Sequence, residues 1–162
     1  MSVTDELLAA NARYAETFSG PLPLPPGRGV AVVACMDARL DVYRALGLQE
    51  GEAHVIRNAG GRRHRRHHPL AANSQRLLGT TEIVLVHHTD CGMLTFTDAE
   101  FRDAIEQETG QRPGWSAEAF TDLEDDVRTS RQRILDSPFI PHTESVRGFV
   151  FDVTTGRLAD VV

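Results

Sequence analysis

The run Cys35-Met36-Asp37-Ala38-Arg39 is followed further along the chain by His88-Thr89-Asp90-Cys91-Gly92. These two stretches hold both cysteines of the protein, a histidine three residues before the second cysteine, and an Asp-x-Arg beside the first. Two thiolates and an imidazole are the donors that Zn²⁺ prefers. Three protein ligands, Cys35, His88 and Cys91, leave one tetrahedral position free, where a catalytic zinc holds water. A structural zinc site would need a fourth protein ligand, and Asp37 is the candidate. Asp37 therefore has two possible roles: paired with Arg39, or swung onto the metal to close the site. A plain reading also stands beside these, in which Asp37 and Arg39 form a structural salt bridge and the cysteines are core residues. His87 reads as a neighbour at a strand end and His54 as a core or supporting residue, not as a ligand or a proton shuttle.

The elements that must position these groups follow from periodicity and punctuation. Thr4-Asp5-Glu6 leads into Leu7, Leu8, Tyr14 and Phe18, which predicts an N-terminal helix opened near Thr4. Gly20-Pro21-Leu22-Pro23-Leu24-Pro25-Pro26-Gly27 stops it and forms an extended arm. Val30 to Ala34 reads as a buried strand ending at Cys35, Arg39 to Leu46 as a helix closed by Gly47, and His54 to Ile56 as a second strand. A helix ending at Gly79 precedes a third strand, Ile83 to Val86, which runs out at His87-His88. Helices over about Thr97–Glu108 and Asp122–Leu135 come next, then a strand at Val146–Val153, a turn at Thr154-Thr155-Gly156, and a short final strand from Leu158 to Val161. Alternating strands and helices predict an α/β fold: a mostly parallel central sheet flanked by helices, with a C-terminal strand hairpin and an N-terminal helical arm. Both ligand groups then fall just beyond strand C-terminal ends, where open α/β sheets bind their ligands.

Composition narrows the function classes. A chain of 162 residues, with 41% hydrophobic and 25% charged residues, fits one soluble domain: residues 1–27 as helix and arm, residues 28–162 as the α/β core. No apolar run reaches the ~18–20 residues of a membrane span, and a signal-peptide pattern is lacking. Cytoplasmic location with reduced cysteines is the expectation, with metal binding favoured over a disulfide. A net charge of −6 argues against nucleic acid as a partner.

The motifs Cys-x-Asp-x-Arg at 35–39 and His-x-x-Cys at 88–91 resemble those of the β-class carbonic anhydrases, and the likeness is closest to the short mycobacterial and actinobacterial members. It extends through Ala34–Leu40, Glu52–Gly60 and His87–Met93 and spans nearly the whole chain. The resemblance implies a zinc enzyme for the reversible hydration of carbon dioxide to bicarbonate, with Cys35, His88 and Cys91 on the metal and Asp37–Arg39 as the catalytic dyad. It also implies a homodimer or homotetramer, with the N-terminal helix embracing a neighbour. Low activity near neutrality, recovering above pH ~8, is expected if Asp37 competes for the metal. Hydrolysis of a carbon dioxide analogue such as carbonyl sulfide is the alternative on the same scaffold, and a non-catalytic zinc or redox module is the alternative of another class.

One run departs from that family's pattern. Gly61-Arg62-Arg63-His64-Arg65-Arg66-His67-His68-Pro69-Leu70-Ala71 puts four arginines where a helix start disfavours cations. Pro69 fits only a first turn, so this helix is expected to begin at Pro69 or later. Permissible codons for residues 62–71, read one base later, spell Val-Val-Thr-Asp-Asp-Ile-Ile-Arg-Ser, a normal acidic helix opening. A compensated double frameshift explains the run; a solvated basic loop, an anion or nucleic-acid patch, and a histidine metal clip are the rival readings.

Overall fold

The computed structural model describes residues 2–61 and 68–162, without the side chains of His68 and Pro69. The Arg62–His67 part of the basic run lies outside the described residues. Five strands form one sheet in the order β2-β1-β3-β4-β5: β1 Val30–Cys35, β2 Ala53–Asn58, β3 Glu82–His88, β4 Ser145–Phe151 and β5 Leu158–Asp160. The first four run parallel, and β5 returns antiparallel on β4.

Side chains alternate across the central strands. Val32, Ala34 and Val86 face a core with Leu40, Val42, Leu48 and Phe151. Val33, Ile83 and Leu85 face the opposite core, which is closed by Ala71 of α3 (His68–Leu78) and Ile134 of α5 (Leu123–Leu135). The α5 helix presses so close to β4 that a Cβ on Gly148 would sit 2.4 Å from Val127 Cγ1.

Several boundaries differ from the sequence expectation, each for a local reason. The first helix, α1, covers Val3–Ala15; Ser2 rather than Thr4 caps it, in a reciprocal box with Asp5. The α2 helix covers Val42–Leu46, shorter than expected, because Asp41 is its cap and the residues from Asp37 to Leu40 form a turn. The α3 helix starts at His68, which leaves Pro69 in the first turn where its missing N–H costs nothing. The α4 helix, Asp98–Thr109, opens on a Thr97–Glu100 capping box and closes at Gly110. His87 and His88 lie inside β3, not beyond it.

The chain leaves β1 towards β2 on one side and reaches β3 on the other. That reversal opens a crevice at the C-terminal ends of β1 and β3. Cys35 ends β1 and His88 ends β3.

Candidate metal centre

Cys35, His88 and Cys91 converge in that crevice, their donor atoms all within 4.8 Å of one another and all three residues buried. Each is fixed by its neighbours. The Cys35 carbonyl accepts hydrogen bonds from Arg57 Nε (2.9 Å) and Nη2 (2.7 Å), and Nη2 also donates to the Asp37 carbonyl at 2.7 Å. One arginine from β2 thus clamps the loop that carries the first thiol. His88 Nδ1 stands 2.8 Å from the Thr89 carbonyl, which requires the proton on Nδ1 and leaves the Nε2 lone pair free. Nε2 is buried and has no hydrogen-bond partner. Cys91 opens a single 3₁₀ turn, Gly92–Leu94, whose Leu94 N–H returns to the Cys91 carbonyl.

The thiols are electrostatically unequal. The hydrogen bond with Cys91 lowers Cys35 to about 4 against the opposing effect of burial, with further help from His88. The hydrogen bond that Cys91 makes with Cys35 pushes the Cys91 thiol well above its ordinary value, and burial adds to this. Burial works to depress His88, but the nearby Cys35 thiolate and the hydrogen bond to the Thr89 carbonyl outweigh that and raise it. A thiolate already forming beside a second thiol and a bare imidazole nitrogen is a donor set that fits a zinc ion. Among the described residues this is the one cluster of three or more His, Cys, Asp or Glu side chains able to hold a metal.

Asp37 stands beside the cluster rather than within it. Arg39 Nε and Nη2 donate to its two carboxylate oxygens at 3.0 and 2.8 Å, and the Arg39 backbone N–H donates at 2.8 Å. These bonds hold the carboxyl far below the usual carboxylate range. Asp37 Oδ2 nevertheless lies 3.6 Å from His88 Nε2. The structure thus holds Asp37 in its Arg39-paired arrangement, a short reach from the cluster.

A cavity of about 280 Å³ opens onto these groups, walled by Ala59, Gly60, Met93 and Phe96. The wall formed by the turn at Ala59–Gly61 requires glycine: Gly61 has a φ of 72°, and a Cβ there would meet Val86 O at 2.7 Å. His87 points to the other face of the sheet, where Nε2 meets Asp126 Oδ2 of α5 at 2.8 Å. His54 is half-buried between β2 and α3, with Nδ1 2.7 Å from Ser74 Oγ, and does not line this cavity. Sequence reasoning missed Arg57, Asp90 and Asp126. Asp90 binds Arg39 from across the crevice, yet nothing in its spacing separates it from an ordinary loop acid.

A family model described as carbonic anhydrase matches residues 30–134. The chain is 60% identical over 161 residues to β-carbonic anhydrase 1 of Mycobacterium tuberculosis, covering 99% of each. It is 32% identical to a carbon disulfide hydrolase of Saccharolobus solfataricus, over 83% of this chain and 78% of that one. Among solved structures, the carbonic anhydrase of Streptococcus mutans superposes with a TM-score of 0.94 at 41% identity, covering 100% of this chain and 99% of that one. That of Glaciozyma antarctica gives 0.93 at 38%, covering both chains fully. The parallel sheet, the crevice and these matches agree: the chain belongs to the β-carbonic anhydrase family.

Proposed function

We propose that the protein catalyses the zinc-dependent reversible hydration of carbon dioxide to bicarbonate and a proton. The observation that carries the reading is the convergence of Cys35, His88 and Cys91 with an unpartnered, buried His88 Nε2 beside a carboxylate that stays outside the cluster. Zinc bound there would lower the pKa of a coordinated water from 15.7 towards ~7 and so make hydroxide available near neutrality. The chain's own residues do the rest. Arg39 keeps Asp37 ionised and turned away, and Asp37 Oδ2, the oxygen nearer His88, accepts the hydrogen bond of the attacking water and orients it. The apolar wall of Ala59, Met93 and Phe96 suits a small, linear, uncharged substrate.

Cysteines kept as thiolate ligands suit a reducing compartment, which supports a cytoplasmic location. The α1 helix buries none of its residues in the chain and exposes Leu7, Leu8 and Tyr14, which supports a homodimer or homotetramer with this helix on a neighbour. The same apolar cavity would admit a sulfur analogue of carbon dioxide, and the likeness to a carbon disulfide hydrolase keeps that reading second. A non-catalytic zinc module has no use for an arginine that withdraws Asp37. Zinc content after dialysis against a mild chelator tests the site: the wild-type protein retains one ion per chain, and Cys35→Ser, His88→Ala and Cys91→Ser lose it. Retention by all three variants would refute the assignment.

A further inference from the structure

Asp37 and Arg39 sit on one loop, the continuation of β1. Their pairing fixes the two side chains relative to each other, and Arg57 holds their loop at Cys35, but neither ties the pair to the His88–Cys91 loop. Another residue makes that connection. Asp90 lies between His88 and Cys91, on the other loop of the crevice. Its Oδ2 accepts from Arg39 Nη1 at 2.7 Å, and its carbonyl accepts from Arg39 Nη2 at 3.0 Å. Nη2 is the same nitrogen that holds Asp37 Oδ2. The Arg39 fork therefore spans both loops, with carboxylates on either side. The Asp90 backbone has a φ of 55°, a left-handed conformation that few residues other than glycine adopt readily. This conformation accompanies an arrangement in which both the carbonyl and the carboxylate of Asp90 meet one guanidinium.

We propose that Asp90 is a positioning residue: by anchoring Arg39 to the His88–Cys91 loop, it keeps Asp37 turned away from the metal-binding cluster. The inference rests on the reading that the cluster binds zinc. Without the Asp90 carboxylate, Arg39 and Asp37 pivot together on their own loop. Asp37 Oδ2, which lies 3.6 Å from His88 Nε2, is then free to take the metal position meant for water. The bond from Nη2 to the Asp90 carbonyl survives substitution, so the effect is partial rather than complete.

The test uses the full-length protein loaded with cobalt(II), whose visible absorption reports the ligand set. The variants are Asp90→Asn, which tolerates the left-handed backbone, and Asp90→Gly, which relaxes it. At about pH 8.5, well above the carboxylate range, the wild-type spectrum should lie close to that of Asp37→Ala. Both Asp90 variants should depart from it, and adding Asp37→Ala to either should restore it. The catalytic efficiency for carbon dioxide hydration should fall about threefold in both variants, the scale of one solvent-exposed ion pair. A residue that merely shapes the turn would leave the cobalt spectrum unmoved, particularly in Asp90→Gly. Cobalt-loaded Asp90 variants with wild-type spectra and efficiencies within twofold of wild type would overturn the proposal. Failure of the wild-type protein to bind cobalt or zinc would instead overturn the metal reading, and the proposal with it.

Discussion

The Nε2 atom of His88 faces Oδ2 of Asp37 across 3.6 Å, while the opposite edge of the same ring is tied to the Thr89 carbonyl. The imidazole is thus oriented by its own loop, and its free nitrogen looks into a space bordered by a carboxylate that Arg39 restrains. Metal binding and catalysis are therefore separable by mutation. Asp37→Ala and Arg39→Ala should retain zinc, yet lose at least tenfold in carbon dioxide hydration, the usual scale for a positioned acid–base or orienting group. Zinc analysis and stopped-flow rates on the same samples check both halves.

Arg57 holds the first ligand loop through three bonds, to the carbonyls of Cys35 and Asp37. Arg57→Ala leaves two carbonyls without these donors and should cost about 1–3 kcal/mol of stability. Arg57→Lys, which keeps the charge but not the fork, should recover only part of that. Denaturant unfolding of the metal-free protein measures the difference, and faster zinc release to a chelator should accompany it.

His87 and Asp126 are both buried, and their bond ties α5 to the end of β3, one residue from His88. Asp126→Ala removes the partner of a fully buried imidazole and should destabilise the fold by about 1–3 kcal/mol. The response distinguishes this pair from a surface ion pair, which high salt would weaken. The gap in melting temperature between the wild-type protein and the variant should persist across a salt titration, whereas that of a surface pair would shrink.

The two thiols give the metal-free protein a pH signature. Cys35, lowered to about 4, contributes stability that is fully present above the ordinary thiol value of about 8.5 and is lost as pH falls towards 4. Cys91 acts in the opposite sense. Its raised folded-state pKa favours the folded state less as pH climbs above about 8.5, because the unfolded thiol ionises there and the folded one does not. The difference in melting temperature between the native protein and a Cys35→Ser/Cys91→Ser form, both metal-free, should rise from pH 4 and turn over near pH 8.5. A flat difference would contradict the coupling of the two thiols.

The chemistry of the site was legible because it depends on residue types at strand ends. Soft donors after the apolar run Val30–Ala34 and after Ile83–Val86 needed only a parallel sheet to meet. Helix ends were legible where a cap stands in the sequence, as with Thr97–Glu100 and Gly47. The α2 start was placed at Arg39 because arginine is helix-compatible by type, but Arg39 is spent on Asp37 and Asp90 and Asp41 caps the helix. Arg57, Asp90 and Asp126 were not legible at all. Their partners lie 22, 51 and 39 residues away, and only the packed fold brings them within reach.

The central claim is tested most directly by stopped-flow carbon dioxide hydration at about pH 8.5–9, where Asp37 competes least with hydroxide for the metal, on protein of known zinc content. The account predicts fast hydration that scales with zinc occupancy and is lost in His88→Ala. Fully zinc-loaded protein that hydrates carbon dioxide no faster than buffer would contradict it.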